Sequence, residues 1–337
     1  MGNNLEPGGK MGIHRWLQID PEKSVATMSM RLREAVFSEL HRKGAVIAVS
    51  GGIDSSVCAA LSLKAFGKDH VYALLLPEKD SSSASMSLGE QVCQHLDIRY
   101  SITDITPTLN AIGCYRWRDD AIRSVFPEYG EGWKNKIAIA RNLLESDGYN
   151  FFKLVVESPE GKRQEKRLPL KPYLQIVAAT NFKQRVRKTL EYFHADRLNY
   201  AVIGTPNRLE YDQGFFVKNG DGSADVKPIA HLYKSQVYEL GRFFGLPENT
   251  LSASPTTDTY SLEQSQDEFY FLLPFEQMDI AMFGLNHGRT AEEVAEETGL
   301  TPEQVNRVFR DIQAKRKTTL PLHRKPILLD RVPEIET

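Results

Sequence analysis

A chain of 337 residues exceeds one average domain and falls short of three. Apolar residues at 41% and charged residues at 26% are ordinary globular values and argue against wholesale disorder. The 42 basic and 44 acidic residues leave a net charge of −2, without the basic bias of a dedicated nucleic-acid binder.

Residues 1–12 are rich in Gly, Asn and Pro, and 1–28 is read as a flexible or helical N-terminal segment ahead of a single domain over 29–325, with 326–337 as a tail. Met30, Leu32, Val36, Phe37 and Leu40 predict an amphipathic helix over Ser29–His41. Ala45–Val49 reads as a buried strand and Val57–Phe66 as a helix. Val71–Leu76 reads as a second strand, ended by Pro77. A helix from Ser81–Ser83 to Leu96 and a strand over Arg99–Ile105 follow. The alternation predicts an α/β fold with a doubly wound, mostly parallel sheet. The pattern breaks over about 113–176, read as an insertion between βα units. Within it, Phe152–Glu157 pairs with Gln164–Leu170 around Ser158-Pro159-Glu160-Gly161, a good turn sequence. A helix over 181–196, a strand at Tyr200–Ile203 and a helical C-terminal region over 275–317 complete the reading.

Three cysteines, Cys58, Cys93 and Cys114, show no metal-ligand spacing and suit a reducing compartment. No apolar run approaches the roughly 18 residues of a membrane span, and the N-terminus lacks a signal-peptide core. The expectation is a soluble, cytoplasmic protein with no membrane partner.

Ser50-Gly51-Gly52-Ile53-Asp54-Ser55-Ser56 is the most informative stretch, because it joins a buried strand to a helix. Two glycines let the backbone turn tightly and aim N–H groups at an anion, and the helix dipole points the same way. Ser50, Ser55 and Ser56 add hydroxyls, and Asp54 adds a carboxylate able to hold Mg²⁺ against phosphate. The stretch is neither a Walker A loop nor a dinucleotide fingerprint. A capped strand-to-helix turn is the plainer alternative.

This loop resembles the pyrophosphate-binding loop of the N-type ATP pyrophosphatases, which cleave ATP to AMP and pyrophosphate. Further along, Gly204-Thr205-Pro206-Asn207-Arg208-Leu209-Glu210 and Gly214-Phe215-Phe216-Val217-Lys218-Asn219-Gly220-Asp221-Gly222 resemble the core of the NAD synthase family, followed by Asp225 and Lys234-Ser235-Gln236. Asn181–Arg187 is similar to that family's Asn-x-x-x-Arg-x-Arg helix, and Pro255-Thr256-Thr257-Asp258 and Asp267-Glu268 to two later motifs. Val217 and Asn219 stand where the family has Thr and Tyr, and the 113–176 segment is longer than the family implies.

The resemblance implies an adenine nucleotide alpha hydrolase-like fold and an ammonia-dependent NAD synthase, a carbon–nitrogen ligase using ATP as co-substrate and Mg²⁺ as cofactor. Asp54 and Lys234 would be catalytic, and Asp54 and Glu210 would hold the metal. Ser50, Gly51, Gly52, Asp54, Ser55, Ser56, Thr205, Lys234 and Thr256 would bind ATP. Arg185, Lys218, Asp221 and Asp225 would bind deamido-NAD. Ordinary surface charge is the plainer reading of Lys218 and Lys234, a helix first-turn carboxylate that of Glu210, and an Asx turn that of Asp221. The family also implies a homodimer. Fewer than 45 residues precede the first strand, too few for a fused glutaminase, so ammonia is expected free or from a separate glutaminase. Rival readings are the same chemistry on another carboxylate, such as a sugar or specialised metabolite, a tRNA-modifying pyrophosphatase, and an ATP-sensing DNA regulator. The last rests on Thr290–Ile312, which has a helix-turn-helix look but an acidic first helix (Glu292, Glu293, Glu296, Glu297) that would repel phosphates. The 113–176 segment is expected beside the active-site mouth or a dimer interface.

Overall fold

A computed structural model describes residues 13–139, 151–253, 260–266, 270–271, 273–330 and 332–335. The first helix, α1 (Pro21–Arg33), begins earlier than the apolar spacing predicts. Asp20 caps it by accepting from the Lys23 N–H at 3.0 Å, and Pro21 pre-sets the first turn. Its buried apolar stripe is Val25, Met28 and Leu32, extended by Val36 in the next turn, whereas Met30 is 61% exposed. A π-helical turn over Glu34–Glu39 continues it.

Next come β1 (Ala45–Ala48), α2 (Ile53–Phe66), β2 (Val71–Leu75), α3 (Ser83–His95) and β3 (Arg99–Ile102). Then follow α4 (Thr106–Ile112), α5 (Cys114–Arg123), β4 (Lys134–Ile139), β5 (Phe152–Glu157) and β6 (Arg163–Arg167). The long helix α6 (Leu170–Leu198) leads into β7 (Ala201–Val202) and α7 (Arg208–Gln213). The chain ends in α8 (Lys234–Phe243), α9 (Glu248–Ser252), α10 (Phe275–Asn286), α11 (Ala291–Thr298) and α12 (Pro302–His323).

Four strands form a parallel sheet in the order β3-β2-β1-β7, with Ala45 opposite both Val71 and Ala201. Alternating residues of β1 serve the two faces. Ala45 and Ile47 pack with α1, α2 and α8, whereas Val46 packs with α4, α5 and α6. The sheet is therefore doubly wound, as expected. β3 departs from the apolar pattern: Arg99 and Ile102 are exposed, because it is an edge strand with one neighbour.

The 113–176 segment contains α5 and an antiparallel sheet in the order β4-β5-β6. The predicted hairpin forms, with Ser158 N–H donating to Lys162 O at 3.0 Å and Gly161 at φ +82°, although β6 stops at Arg167. The helix expected from 181 starts at Leu170, because Tyr173, Ile176 and Val177 pack on this small sheet's core of Phe126, Ile137, Leu154 and Val156. The sheet's Asn135 N–H donates to Ser261 Oγ at 2.8 Å, and its carbonyl accepts from Leu262 N–H at 3.1 Å.

The C-terminal helical region is three helices packed through Met278, Val294, Val305, Val308 and Ile312. The inner faces of the helix-turn-helix-like pair are thus spent on the protein's own core. No described helix is long and apolar enough to cross a membrane.

Candidate active site

The phosphate-type loop lies at the carboxyl end of β1, where open α/β sheets bind ligands. Gly51 has φ +84°, and a Cβ there would approach Leu88 Cβ of α3 to 2.5 Å, so both backbone and space require glycine. Gly52 precedes the first turn of α2, which holds Asp54, Ser55 and Ser56. The Ser55 and Ser56 hydroxyls donate to Gly52 O at 3.0 and 2.9 Å, and Ser50 N–H donates to Ser55 Oγ at 3.2 Å. These bonds hold the turn in one shape, leaving Ser50 and Gly52 exposed at its tip.

Three distant segments meet at Asp54. Lys234 Nζ, at the first position of α8, donates to Asp54 Oδ2, and Asn207 Nδ2 donates to Asp54 Oδ1 at 3.0 Å. Asn207 also caps α7 reciprocally, accepting from Glu210 N–H at 3.2 Å while its own N–H donates to Glu210 Oε2 at 3.2 Å. Gln266 Nε2 donates to Glu210 Oε1 at 2.9 Å. Thr205 is half-buried two residues ahead of Asn207. The structure thus brings the loop, Asp54, Glu210 and Lys234 together.

Charge explains the cluster. Desolvation, then the neighbouring Asp54 charge, push the Glu210 carboxyl up to about 8, with Lys234 opposing. Burial works against the Lys234 ammonium, but Asp54 and Glu210 outweigh it and raise its pKa, so it stays charged. Asp54 and Glu210 are hard oxygen donors facing one cation, and their mutual repulsion is what a divalent ion such as Mg²⁺ relieves. The donor set fits that ion.

Lys234 is itself positioned from α10. Asp279 accepts from Lys234 N–H at 3.2 Å, Ser235 N–H at 2.7 Å and Ser235 Oγ at 2.6 Å, capping α8 from outside. Burial pushes the Asp279 carboxyl up to about 7, against the Ser235 bonds.

The other predicted contacts form a second group. Arg185 Nε donates to Lys218 O at 3.3 Å, and Lys218 Nζ donates to Pro321 O at 3.0 Å, tying the end of α12 to this loop. Asp221 accepts from Val217 N–H at 2.8 Å, and desolvation raises its pKa. Asp225 Oδ2 accepts from Val202 N–H of β7 at 2.7 Å, and its Oδ1 from Tyr192 OH at 3.4 Å. Thr256, with Pro255–Asp258 and Asp267-Glu268, lies outside the described residues.

Sequence reasoning missed Asn207, Gln266 and Asp279 as site residues. The Asn-x-x-Glu spacing of a capping box was the available signal for Asn207. For Asp279 it was a lone carboxylate among apolar Met278, Ile280 and Ala281. Gln266 carried none.

A family model described as NAD synthase matches residues 25–125 and 131–321, taking in all of the 113–176 segment except 126–130. The NH(3)-dependent NAD(+) synthetase of Rhizobium meliloti is 55% identical over 317 residues, covering 94% of this chain and 93% of the relative. That of Thermotoga maritima is 33% identical over 294 residues, covering 87% and 95%. Among solved structures, the NH3-dependent NAD synthetase from Campylobacter jejuni in complex with the nitrate ion has a TM-score of 0.59 at 22% identity, covering 93% of this chain and 100% of that one, a likeness of fold. Cluster, sheet order and matches agree, and the chain belongs to the NAD synthase family.

Proposed function

We propose that this chain is an ammonia-dependent NAD synthase, a carbon–nitrogen ligase that turns deamido-NAD, ATP and ammonia into NAD, AMP and pyrophosphate. The observation that carries the reading is the Asp54–Lys234–Asn207–Glu210 cluster at the foot of the glycine loop. It stands in a chain 55% identical, over 94% of its length, to a protein of that name.

In the first step a nicotinate carboxylate oxygen attacks the α-phosphorus of ATP, and the bond to the bridging oxygen of pyrophosphate breaks. Ammonia then attacks the acyl carbon of the adenylate, AMP leaves with the C–O electron pair, and the nitrogen loses a proton to solvent. No enzyme nucleophile is needed, so the protein's work is placement and charge stabilisation. Ser50–Ser56 cradle the phosphates with backbone N–H groups at the start of α2. Lys234, held protonated, supplies fixed positive charge and is no general base. Asp54 and Glu210 would hold Mg²⁺, which would supply further charge stabilisation at the phosphates. Thr205 and Thr256 are assigned to ATP, Arg185, Lys218 and Asp221 to the dinucleotide, and Asp225, whose oxygens accept from Val202 N–H and Tyr192 OH, to holding β7 beside it. The active form is a cytoplasmic homodimer taking ammonia free or from a separate glutaminase.

The test is direct: purified protein with ATP, Mg²⁺, ammonium and deamido-NAD should form NAD and AMP in equal amounts. AMP without NAD, or neither product, would overturn the reading.

A further inference from the structure

The segment between β2 and α3 is held by four charged side chains that the proposed chemistry does not use. Lys183 Nζ of α6 donates to Glu78 Oε1 at 2.9 Å and to Asp80 Oδ2 at 2.5 Å. Arg118 of α5 pairs with the same Asp80 oxygen, and Tyr115 OH of α5 donates to Glu78 Oε2 at 2.7 Å. All four charged side chains are nearly closed to solvent, with relative exposures of 3% for Lys183, 0% for Glu78, 4% for Asp80 and 6% for Arg118. Burial alone would push Asp80 up, but Lys183 and Arg118 hold it below its ordinary value. Arg187, one turn beyond Lys183, donates to Leu76 O at 3.1 Å and Ser81 Oγ at 3.4 Å. Two opposed pairs in so dry a place are costly, and apolar packing of equal volume would hold the elements at least as firmly. What the pairs add is a single geometry for the backbone of 76–81.

That backbone has a place in the site. It leaves the carboxyl end of β2, the strand beside β1, and Val49 N–H at the mouth of the glycine loop donates to Leu74 O at 2.9 Å. Gly51 packs against Leu88 and Gly89 of α3, the helix this segment feeds. Residues 76–82 therefore lie beside the glycine loop at the carboxyl edge of the sheet, where a nucleotide with its phosphates on Ser50–Ser56 would meet them with its nucleoside end. From this we infer that Arg118, Lys183, Glu78 and Asp80 are positioning residues, and that α5 braces the β2–α3 segment in the shape that grips the nucleoside of ATP. The inference rests on the proposed ATP site and gives the 113–176 segment a task there.

The experiment is calorimetric binding of a non-hydrolysable ATP analogue with Mg²⁺, paired with steady-state kinetics and thermal melts. Asp80→Asn with Arg118→Met removes one charge of each sign, so the net charge of the cluster is unchanged; Asp119, which accepts from Arg118 Nε at 2.8 Å, is 24% exposed and can turn to solvent, and the double variant should melt within a few degrees of the parent. It should bind the analogue about tenfold more weakly, with KM for ATP up by the same factor, and KM for deamido-NAD and kcat within about twofold. Arg118→Lys keeps the charge but loses the planar fork, and should weaken analogue binding by only about threefold; being milder, it also reads the brace if the double variant does not fold. Parental analogue affinity in both variants would overturn the proposal, and so would loss of affinity that tracks loss of melting temperature in both. A parent chain that binds the analogue yet makes no NAD would sink the activity reading alone, because the binding comparison still decides the brace. A parent that binds no analogue would overturn the brace.

Discussion

Asn207 fixes the direction of Asp54: its Nδ2 donates to Asp54 Oδ1 at 3.0 Å while the rest of the residue closes the capping box with Glu210. One buried side chain thereby sets the start of α7 and the spacing of the two carboxylates proposed for the metal. A local helix signal and the frame of the proposed site are here the same set of bonds.

Replacing Asp54 by Asn keeps the size of the side chain and removes the charge that Lys234 faces and that is proposed to hold the metal. AMP formation should fall by roughly a hundredfold or more. The melting temperature should stay within a few degrees, since Asp54 sits in a helix first turn beside solvent and not in the apolar core. Turnover near that of the parent would remove Asp54 from the metal and phosphate machinery.

Glu210 makes the metal-free protein sensitive to alkali. Its carboxyl is pushed up to about 8 in the native chain, against an ordinary value of 4.5. The native state therefore holds that proton more tightly than the unfolded state. The stability it contributes is complete below about pH 4.5 and is lost as pH rises through about 8. In a chelator, the parent should lose several degrees of melting temperature between about pH 6 and pH 9 that Glu210→Gln does not lose. Mg²⁺ should restore the parent at the alkaline end and do little for the variant. Parallel melting curves for the two proteins would show that Glu210 is ionised throughout.

The glycine loop was legible because two periodicities meet there: Ala45–Val49 is continuously apolar, and the residues that cap and turn follow at once. Elements whose reason for existing lies elsewhere in space were not legible. α6 begins at Leu170, ahead of the expected 181, because Ile176 and its neighbours find an apolar sheet to cover, whereas β6 (Arg-Gln-Glu-Lys-Arg), with no apolar pattern of its own, was legible only through the turn that joins it to β5. Within the site, Asp54, Glu210 and Lys234 could be named from motifs. Asp279 could not, because it acts on Lys234 from a helix 45 positions away in the chain.

Asp279 holds the first turn of α8, from which Lys234 reaches Asp54. Asp279→Ala leaves two buried N–H groups and a hydroxyl without their acceptor, which should cost roughly 2 kcal/mol of stability. A shift of Lys234 by as little as about 1 Å should lower turnover by up to about a hundredfold. Asp279→Asn retains an acceptor oxygen and should recover most of the stability. Thermal melts and AMP release measured on both variants check this. Full activity in Asp279→Ala would mean that α8 positions Lys234 unaided.

Asp225 separates two roles that the sequence alone merges. Its position in the Gly214–Asp225 block suggests a dinucleotide contact, yet both carboxylate oxygens already have protein partners, Val202 N–H and Tyr192 OH. The Val202 bond matters for the sheet, because among the described strands β7 pairs with β1 alone; on its other side the Asp225 and Val226 N–H groups donate to Val202 O at 3.0 and 3.3 Å while the Asp225 carboxylate accepts from Val202 N–H. Asp225→Ala should therefore lower stability by roughly 1 to 3 kcal/mol, the cost of leaving a partly buried N–H unpaired. Asp225→Asn keeps an oxygen for Val202 and should lose much less. A role at the substrate predicts a different pattern: both variants would raise KM for deamido-NAD, and the melting temperature would barely move. The expected result is a large melting shift in the alanine variant and a small one in the asparagine variant. A KM rise alike in both, on an unmoved melting curve, would assign the carboxylate to the dinucleotide and reduce its hold on β7 to a secondary effect.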